Sequence, residues 1–157
     1  MKKLAAVLAA VTLFLCILPM QTFAAESEVG RNVTYYADGS YSVVSITEGE
    51  QSKVSARATT YRDGTKVYTH YSSSGTTEWK ATMRATFTYT GSSATCTSVD
   101  NLSVNIYDSG WSLASKSTRR SGNTAYGDVV MERSIIGGTQ GVPVTLTLSC
   151  DKNGNLS

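Results

Sequence analysis

The sequence predicts an all-β protein, namely a single antiparallel β-sandwich, or a barrel-like variant of it, with about eight or nine strands. Apolar and polar residues alternate with a period of two in several segments, as expected of half-buried strands. Turn sequences rich in Gly, Asp, Asn and Ser separate these segments. No window shows the i, i+3, i+4 apolar spacing of an amphipathic helix, so we expect no helix beyond the N-terminal segment.

The N-terminal segment, residues 1–24, has the features of a secretory signal peptide. Lys2 and Lys3 form a short basic start, and the fifteen residues 4–18 carry no charge. Cleavage is expected after Ala24 or Ala25. A run of this length is shorter than the roughly 20 residues that cross a bilayer as a helix. We therefore expect a secreted, extracellular protein whose mature chain has no transmembrane span, with attachment to the cell wall as an alternative location.

Cleavage changes the charge and the cysteine count. Lys2 and Lys3 leave with the signal peptide, so 12 basic and 12 acidic residues remain. Proteins that bind nucleic acid concentrate Lys and Arg on one face, so a nucleic-acid partner is not expected. Zero net charge and open sheet edges favour weak homo-oligomers. The two remaining cysteines, Cys96 and Cys150, are predicted to form one intrachain disulfide, as an even pair in an exported protein indicates.

The clearest strand is residues 78–90, where every odd position from Trp79 to Tyr89 is apolar and every even position is polar. The same alternation appears at 142–150 and 102–107. Asp38-Gly39, Asp63-Gly64 and Gly122-Asn123 are each flanked by β-rich runs and predict hairpin turns. Further strands are expected at 33–36, 41–46, 54–61, 66–71, 111–117 and 124–135. We expect residues 25–31 to be a loose N-terminal arm and residues 32–157 to be the secreted β-sandwich domain.

No catalytic group stands out, so the chain is not expected to be an enzyme. His70 is the one histidine, and no Gly-x-Ser-x-Gly nucleophile elbow is present. A hydrolase mechanism based on a triad would have to use this residue. One histidine and two paired cysteines do not make a tetrahedral zinc site, so we expect neither a metal nor a cofactor.

Aromatic residues supply the candidate binding positions. Tyr35 and Tyr36 are adjacent, so one of them faces outward if both lie in a strand, and Tyr107 lies on the opposite face from Ile106. Tyr35, Tyr36, Tyr107 and His70 are the candidate ligand contacts. The expected partners are a cell-wall polymer, a glycan or another surface protein.

Residues 37–41, 87–96, 121–125 and 148–155 carry a resemblance that covers most of the mature chain. The Thr- and Ser-flanked cysteine pair is its most specific feature. In these segments the chain resembles small secreted proteins of Gram-positive, often gut-dwelling, bacteria. The resemblance implies a bacterial, exported context and assigns no activity to any residue.

The sequence therefore predicts a non-enzymatic, secreted or cell-surface-associated β-domain that binds a ligand or a partner. One alternative is a small secreted hydrolase that relies on His70. Another is a membrane-acting bacteriocin or toxin, for which a long Gly- and Ser-rich transmembrane hairpin would be expected.

Overall fold

The computed structural model describes residues 26–53 and 59–157, which form nine strands and no helix. All pairings between these strands are antiparallel and they build two sheets, so the prediction of an all-β, sandwich-like fold is confirmed. The strands are β1 (Ser27–Tyr35), β2 (Tyr41–Lys53), β3 (Thr60–Tyr71), β4 (Thr77–Tyr89), β5 (Ala94–Val99), β6 (Ser103–Ile106), β7 (Trp111–Ser121), β8 (Thr124–Ile135) and β9 (Gly138–Ser149).

The two sheets differ in width. The first has six strands in the order β1-β2-β3-β4, and the far edge of β4 pairs with both β6 and β5. The second sheet has three strands in the order β7-β8-β9. β6 pairs with the beginning of β4, and β5 with its end, so one long strand supports two short ones.

The core lies between the sheets and follows from the alternation in β4. Trp79, Met83 and Phe87 point inward and are fully buried, and they form one cluster with Met131 and Leu148 of the second sheet. Burying a large apolar side chain contributes about 1.5–3 kcal/mol to stability. From Lys80 to Thr88, the polar residues that alternate with these apolar ones are more exposed than they are, as the sequence predicts.

A glycine on β8 permits close approach of the two sheets. A Cβ atom at Gly127 would lie 2.9 Å from both Met83 Sδ and Leu102 Cδ1. Real Cβ atoms essentially never come this close to other atoms, so a side chain at this position would require Met83 and Leu102 to move.

Two of the three predicted hairpin turns are confirmed, and one prediction is wrong. Asp38-Gly39 joins β1 to β2, and Gly122-Asn123 joins β7 to β8. Gly39 has a φ of 82°, which favours glycine. Asp63-Gly64, in contrast, lies inside β3, where a Cβ at Gly64 would lie 2.6 Å from Leu156 Cδ1. Close packing thus accounts for this glycine. The strand expected at 54–61 falls mostly on residues 54–58, outside the described residues.

The N-terminal part of the domain also differs from the expectation. Residues 27–31, predicted as a loose arm, form the first half of β1, which pairs with β2 through a ladder that shifts between Glu28 and Gly30. Nearly all of β1 is exposed, so its side chains show no apolar alternation. The predicted signal peptide lies outside the described residues. Within 26–53 and 59–157 no helix suited to crossing a membrane is found.

Both cysteines are buried, but the structure shows them as free thiols, so the predicted disulfide is not formed in it. Each thiol instead donates a hydrogen bond to a nearby backbone carbonyl, Cys96 to Ser98 (3.3 Å) and Cys150 to Asp151 (3.4 Å). Burial raises the pKa of both thiols, that of Cys150 to about 11. At neutral pH both side chains are therefore protonated.

Candidate functional site

A pocket of about 300 Å³ opens at one end of the two-sheet structure, and we call it the end pocket. It is bounded by the β1–β2 turn, the end of β3, the start of β7, the end of β8 and the start of β9. Residues from both sheets therefore line it. Its walls include Tyr36, Asp38, His70, Trp111, Arg133 and Gln140.

His70 reaches the end pocket because its position in β3 points inward. Ser42 on β2 and Trp79 on β4 are its neighbours in the strand register. Its side chain is 5% exposed, and the edge of its ring meets Trp111 at a centroid distance of 5.2 Å. The His70 ring is thus packed against buried residues of the core.

A β-bulge brings an acidic side chain to this histidine. The β3–β4 ladder pairs His70 with Trp79 and Tyr71 with Thr77, which leaves Glu78 as the extra residue of β4. The Glu78 carbonyl accepts hydrogen bonds from the backbone N–H groups of Tyr107 (2.8 Å) and Asp108 (3.1 Å). Bulges redirect side chains, and here the Glu78 side chain is only 12% exposed.

The Glu78 carboxylate contacts two ring nitrogens. Its Oε2 atom accepts a hydrogen bond from Trp111 Nε1 (3.0 Å) and lies 3.3 Å from His70 Nε2. Because a carboxylate only accepts hydrogen bonds, the neutral His70 ring keeps its proton on Nε2. Burial lowers the pKa of His70, which outweighs the opposing effect of the Glu78 charge. At neutral pH Nδ1 is therefore an acceptor.

His70 Nδ1 is buried and has no hydrogen-bond partner among the described residues. Buried polar atoms in folded proteins nearly always have such a partner, so an unpaired one needs an explanation. Since His70 lines the end pocket, a group that enters the pocket is one source of the missing donor.

An ion pair forms the outer rim of the end pocket. Arg133 Nη1 lies 3.1 Å from Asp38 Oδ2, and both side chains are about half exposed, at 42% and 51%. The pKa of Asp38 is lowered to about 2, first by the hydrogen bonds from the Ser40 hydroxyl and backbone N–H and to a smaller extent by Arg133. The Arg133 guanidinium also lies 5.7 Å from the centre of the Trp111 ring. The rim therefore presents charge beside an aromatic surface.

Tyr36 forms an aromatic wall of the end pocket. Its hydroxyl hydrogen-bonds with Ser42 Oγ and with the Tyr68 hydroxyl, both at 3.0 Å. Its ring lies 5.7 Å from the ring of His70. The two hydrogen bonds fix the ring position before any ligand binds.

The structure brings together two of the four residues that the sequence suggested for binding. Tyr36 and His70 both line the end pocket. Tyr35 lies on the opposite face of the first sheet, where its ring is 5.6 Å from that of Tyr41. Tyr107 is 61% exposed and contributes to the site through its backbone bond to Glu78.

The sequence did not indicate four of the site residues, namely Glu78, Trp111, Asp38 and Arg133. Strict alternation places Glu78 on the solvent face of β4, and only the bulge turns it inward. Trp111 begins a strand that the sequence predicts at 111–117, and it is both buried and part of the pocket wall. Asp38 was interpreted as a turn residue, and it also pairs with an arginine 95 positions away.

Metal-ligand side chains and hydroxyl groups determine which chemistry the surroundings of the end pocket support. Nowhere in 26–53 and 59–157 do three His, Cys, Asp or Glu side chains meet in a way that could hold a metal ion. The nearby hydroxyls are engaged elsewhere, since Ser40 Oγ donates to Asp38 and Ser42 Oγ bonds to Tyr36.

No protein-family model matches the chain, and the searches of curated proteins and of solved structures find no similar one.

Proposed function

We propose that this chain is a secreted, non-enzymatic β-sandwich domain that binds a small polar ligand in the end pocket. The observation that carries the proposal is the buried, unpartnered Nδ1 of His70 at the pocket wall. With the ring proton on Nε2, this nitrogen accepts a hydrogen bond from an O–H or N–H group of the ligand. Binding would then supply the hydrogen-bond partner that the described residues do not provide.

The other walls favour a ring that carries hydroxyl groups, such as one sugar unit of a glycan or a cell-wall polymer. Tyr36 and Trp111 offer aromatic surface to the apolar face of such a ring. Arg133 and Gln140 add hydrogen-bond donors at the rim. A volume of about 300 Å³ is at the small end of the range for ligand pockets, which suits one such unit.

Export and a disulfide belong to the same proposal. The features of residues 1–24 support secretion, and an oxidising compartment removes two electrons and two protons from a cysteine pair. Cys96 and Cys150 both bind the β7–β8 turn, since the Cys96 N–H donates to Gly122 O (2.8 Å) and the Cys150 N–H to Asn123 O (3.1 Å). This shared anchor supports a bridge between them in the exported protein.

The binding proposal is tested by titrating residues 25–157 with a panel of monosaccharides and cell-wall oligosaccharides, followed by NMR and calorimetry. The His70→Gln variant keeps a nitrogen near the Nε2 position but removes the Nδ1 acceptor. We expect about tenfold weaker binding, because one buried hydrogen bond is lost. Tyr107→Ala is the matched control and should bind as the wild type does. Equal affinity of His70→Gln, or no binding by the wild type, would contradict the proposal.

One observation favours a second candidate function, a hydrolase that uses His70. A carboxylate next to the protonated nitrogen of a histidine orients the ring as the acid of a catalytic triad does, and Glu78 has this position. His70 Nδ1 would then act as a general base towards a water molecule in the pocket. Mass spectrometry of bound oligosaccharides separates the two functions. A binding domain returns them intact, and a hydrolase cleaves them in a reaction that His70→Gln abolishes.

A further inference from the structure

A second depression results from the unequal width of the two sheets. β9 lies over β3, since the Lys66 ammonium on β3 donates a hydrogen bond to the Thr147 carbonyl on β9. β1 and β2 come next in the first sheet, and in the part of the chain that the structure describes no fourth strand follows β9 in the second. The inner face of β1 and β2 therefore extends past the edge of the second sheet.

This extension forms a groove of about 410 Å³, which we call the strand groove. Its floor consists of Val44, Ile46 and Tyr68, with Gly30 and Asn32 of β1 beside them. Its wall is residues 145–147 of β9, and Arg31 and Lys66 line it as well. The strand groove thus has an apolar floor, and the cationic side chain of Lys66 lies on the same face of the sheet.

The backbone edge of β9 faces the strand groove. Ser149 exchanges both of its backbone hydrogen bonds with Ser157 (2.9 and 3.0 Å), so its N–H and C=O groups point away from β8. Backbone groups alternate in direction along a strand, and the β8–β9 ladder has no register shift. Thr145 and Thr147 therefore also point their N–H and C=O groups outward, and of these four groups only the Thr147 carbonyl has a described partner, Lys66.

Ion pairing among the described residues leaves the positive charges near the groove without a carboxylate. Arg31 and Lys66 have no ion-pair partner among the described residues, whereas Arg62, Arg119 and Arg133 each pair with a carboxylate. Lys66 is half-buried, and this partial removal from water lowers the pKa of its ammonium group. An acidic ligand would restore a favourable environment for this charge.

We propose that the strand groove binds an extended, acidic segment of a partner protein, which pairs with β9 as a fourth strand. Such strand addition obtains affinity from backbone hydrogen bonds and specificity from alternate side chains. Here the alternate apolar side chains of the segment would pack on Val44 and Ile46, and its carboxylate would pair with Lys66, which is the register neighbour of Ile46. The proposal is independent of ligand binding in the end pocket.

A second folded copy of the chain does not fit the same space. The extension is two strands wide, or about 10 Å at the usual strand spacing. If the β9 edge of another copy paired with this edge, the β3 strand beneath that β9 would occupy the position of β2. A single extended segment brings no second layer and avoids this overlap.

The test uses a fluorescein-labelled eight-residue peptide in which Val alternates with Thr between terminal Glu residues. Its affinity for residues 25–157 is measured by fluorescence anisotropy. Two control peptides each differ from this peptide in one property. The first has N-methyl groups on alternate backbone amides, and the second has Lys in place of the terminal Glu residues. We expect the N-methylated peptide to bind at least about tenfold more weakly, because it cannot complete the strand ladder. The Lys peptide should also bind more weakly.

A variant of the protein tests the location. A Cβ at Gly30 would lie 3.7 Å from Ile46 Cδ1, an ordinary contact, so Gly30→Leu fills the groove without strain in the backbone. Gly141→Leu is the matched control, since its Cβ would lie 3.9 Å from Val130 Cγ1, away from the groove. We expect at least about tenfold weaker peptide binding for Gly30→Leu only. If Gly30→Leu does not fold, Lys66→Gln is the second variant. We expect Lys66→Gln to bind the peptide more weakly and with a smaller dependence on salt concentration.

Three results would overturn the proposal. The first is no peptide binding by the wild type, and the second is equal binding of the N-methylated peptide. The third is a concentration-dependent dimer, seen by sedimentation, that Gly30→Leu abolishes and that the peptide does not displace. Sugar binding in the end pocket should be unchanged in all of these variants, so failure of one proposal does not affect the other.

Discussion

Replacing Glu78 with alanine tests the structural account of the end pocket. The substitution removes the acceptor for Trp111 Nε1 and the carboxylate beside His70 Nε2. Both rings are buried, with 6% and 5% of their surface exposed, so little water can take the place of the carboxylate. The substitution therefore leaves two buried N–H groups without a partner.

The cost follows from the number of groups left unpaired. A buried donor without an acceptor lowers the free energy of unfolding by about 1–3 kcal/mol, so two such donors predict a loss of about 2–6 kcal/mol. Glu78→Gln keeps an amide oxygen that can accept from Trp111 Nε1 and loses only the charge. We expect it to lose less than half as much stability as Glu78→Ala.

Urea unfolding monitored by Trp fluorescence and circular dichroism measures the difference. The slope of the free energy of unfolding against urea concentration should be the same for all variants, so that differences in the midpoint report differences in stability. Glu28→Ala, an exposed acidic residue on β1, is the matched control and should change stability by less than about 0.5 kcal/mol. If Glu78→Ala and Glu78→Gln unfold at the same urea concentration, the bulge does not support the two rings as described.

Three further predictions concern pH, oxidation and packing. Because burial lowers the pKa of His70 in the folded state, stability should be full above pH 6.5 and decrease as the pH falls below it; His70→Gln should remove this change in urea midpoints. Oxidation of Cys96 and Cys150 closes a loop of about 55 residues and should raise the free energy of unfolding by about 4 kcal/mol, or Tm by about 15 °C. Calorimetry with and without reductant measures this difference, and equal Tm values would contradict the prediction. Gly127→Val should lower the free energy of unfolding by about 1–3 kcal/mol through overpacking, whereas Gly141→Val should not.

The sequence predicted those strands that have one buried and one exposed face. In β4 the alternation from Trp79 to Tyr89 is visible because the core requires apolar residues on one side only. β1 has no such requirement and is held by backbone hydrogen bonds to β2, so its sequence carries no pattern. Asp63-Gly64 was mistaken for a turn because a glycine needed for close packing looks the same in the sequence as one needed for a turn.

The site was predictable only in part, for a related reason. His70 and Tyr36 attract attention by residue type alone. The inward position of Glu78 results from a bulge, in which this residue has no partner in the β3–β4 ladder. Regular alternation would place its side chain on the solvent face. The pair of Asp38 and Arg133 depends on the packing of two sheets whose strands lie far apart in the chain. Such contacts require the three-dimensional structure.

The order of the strands has a consequence for how the chain can be divided. Residues 27–106 build the whole first sheet, and residues 111–149 build the second, so the polypeptide passes between layers once within the described ranges, at 107–110. Each sheet exposes an apolar face when alone, so neither half should fold by itself. Cutting the chain at Ser109 should give two fragments that associate and fold together. Reporter proteins are split on the same principle, and the two halves of this chain should reassemble in the same way.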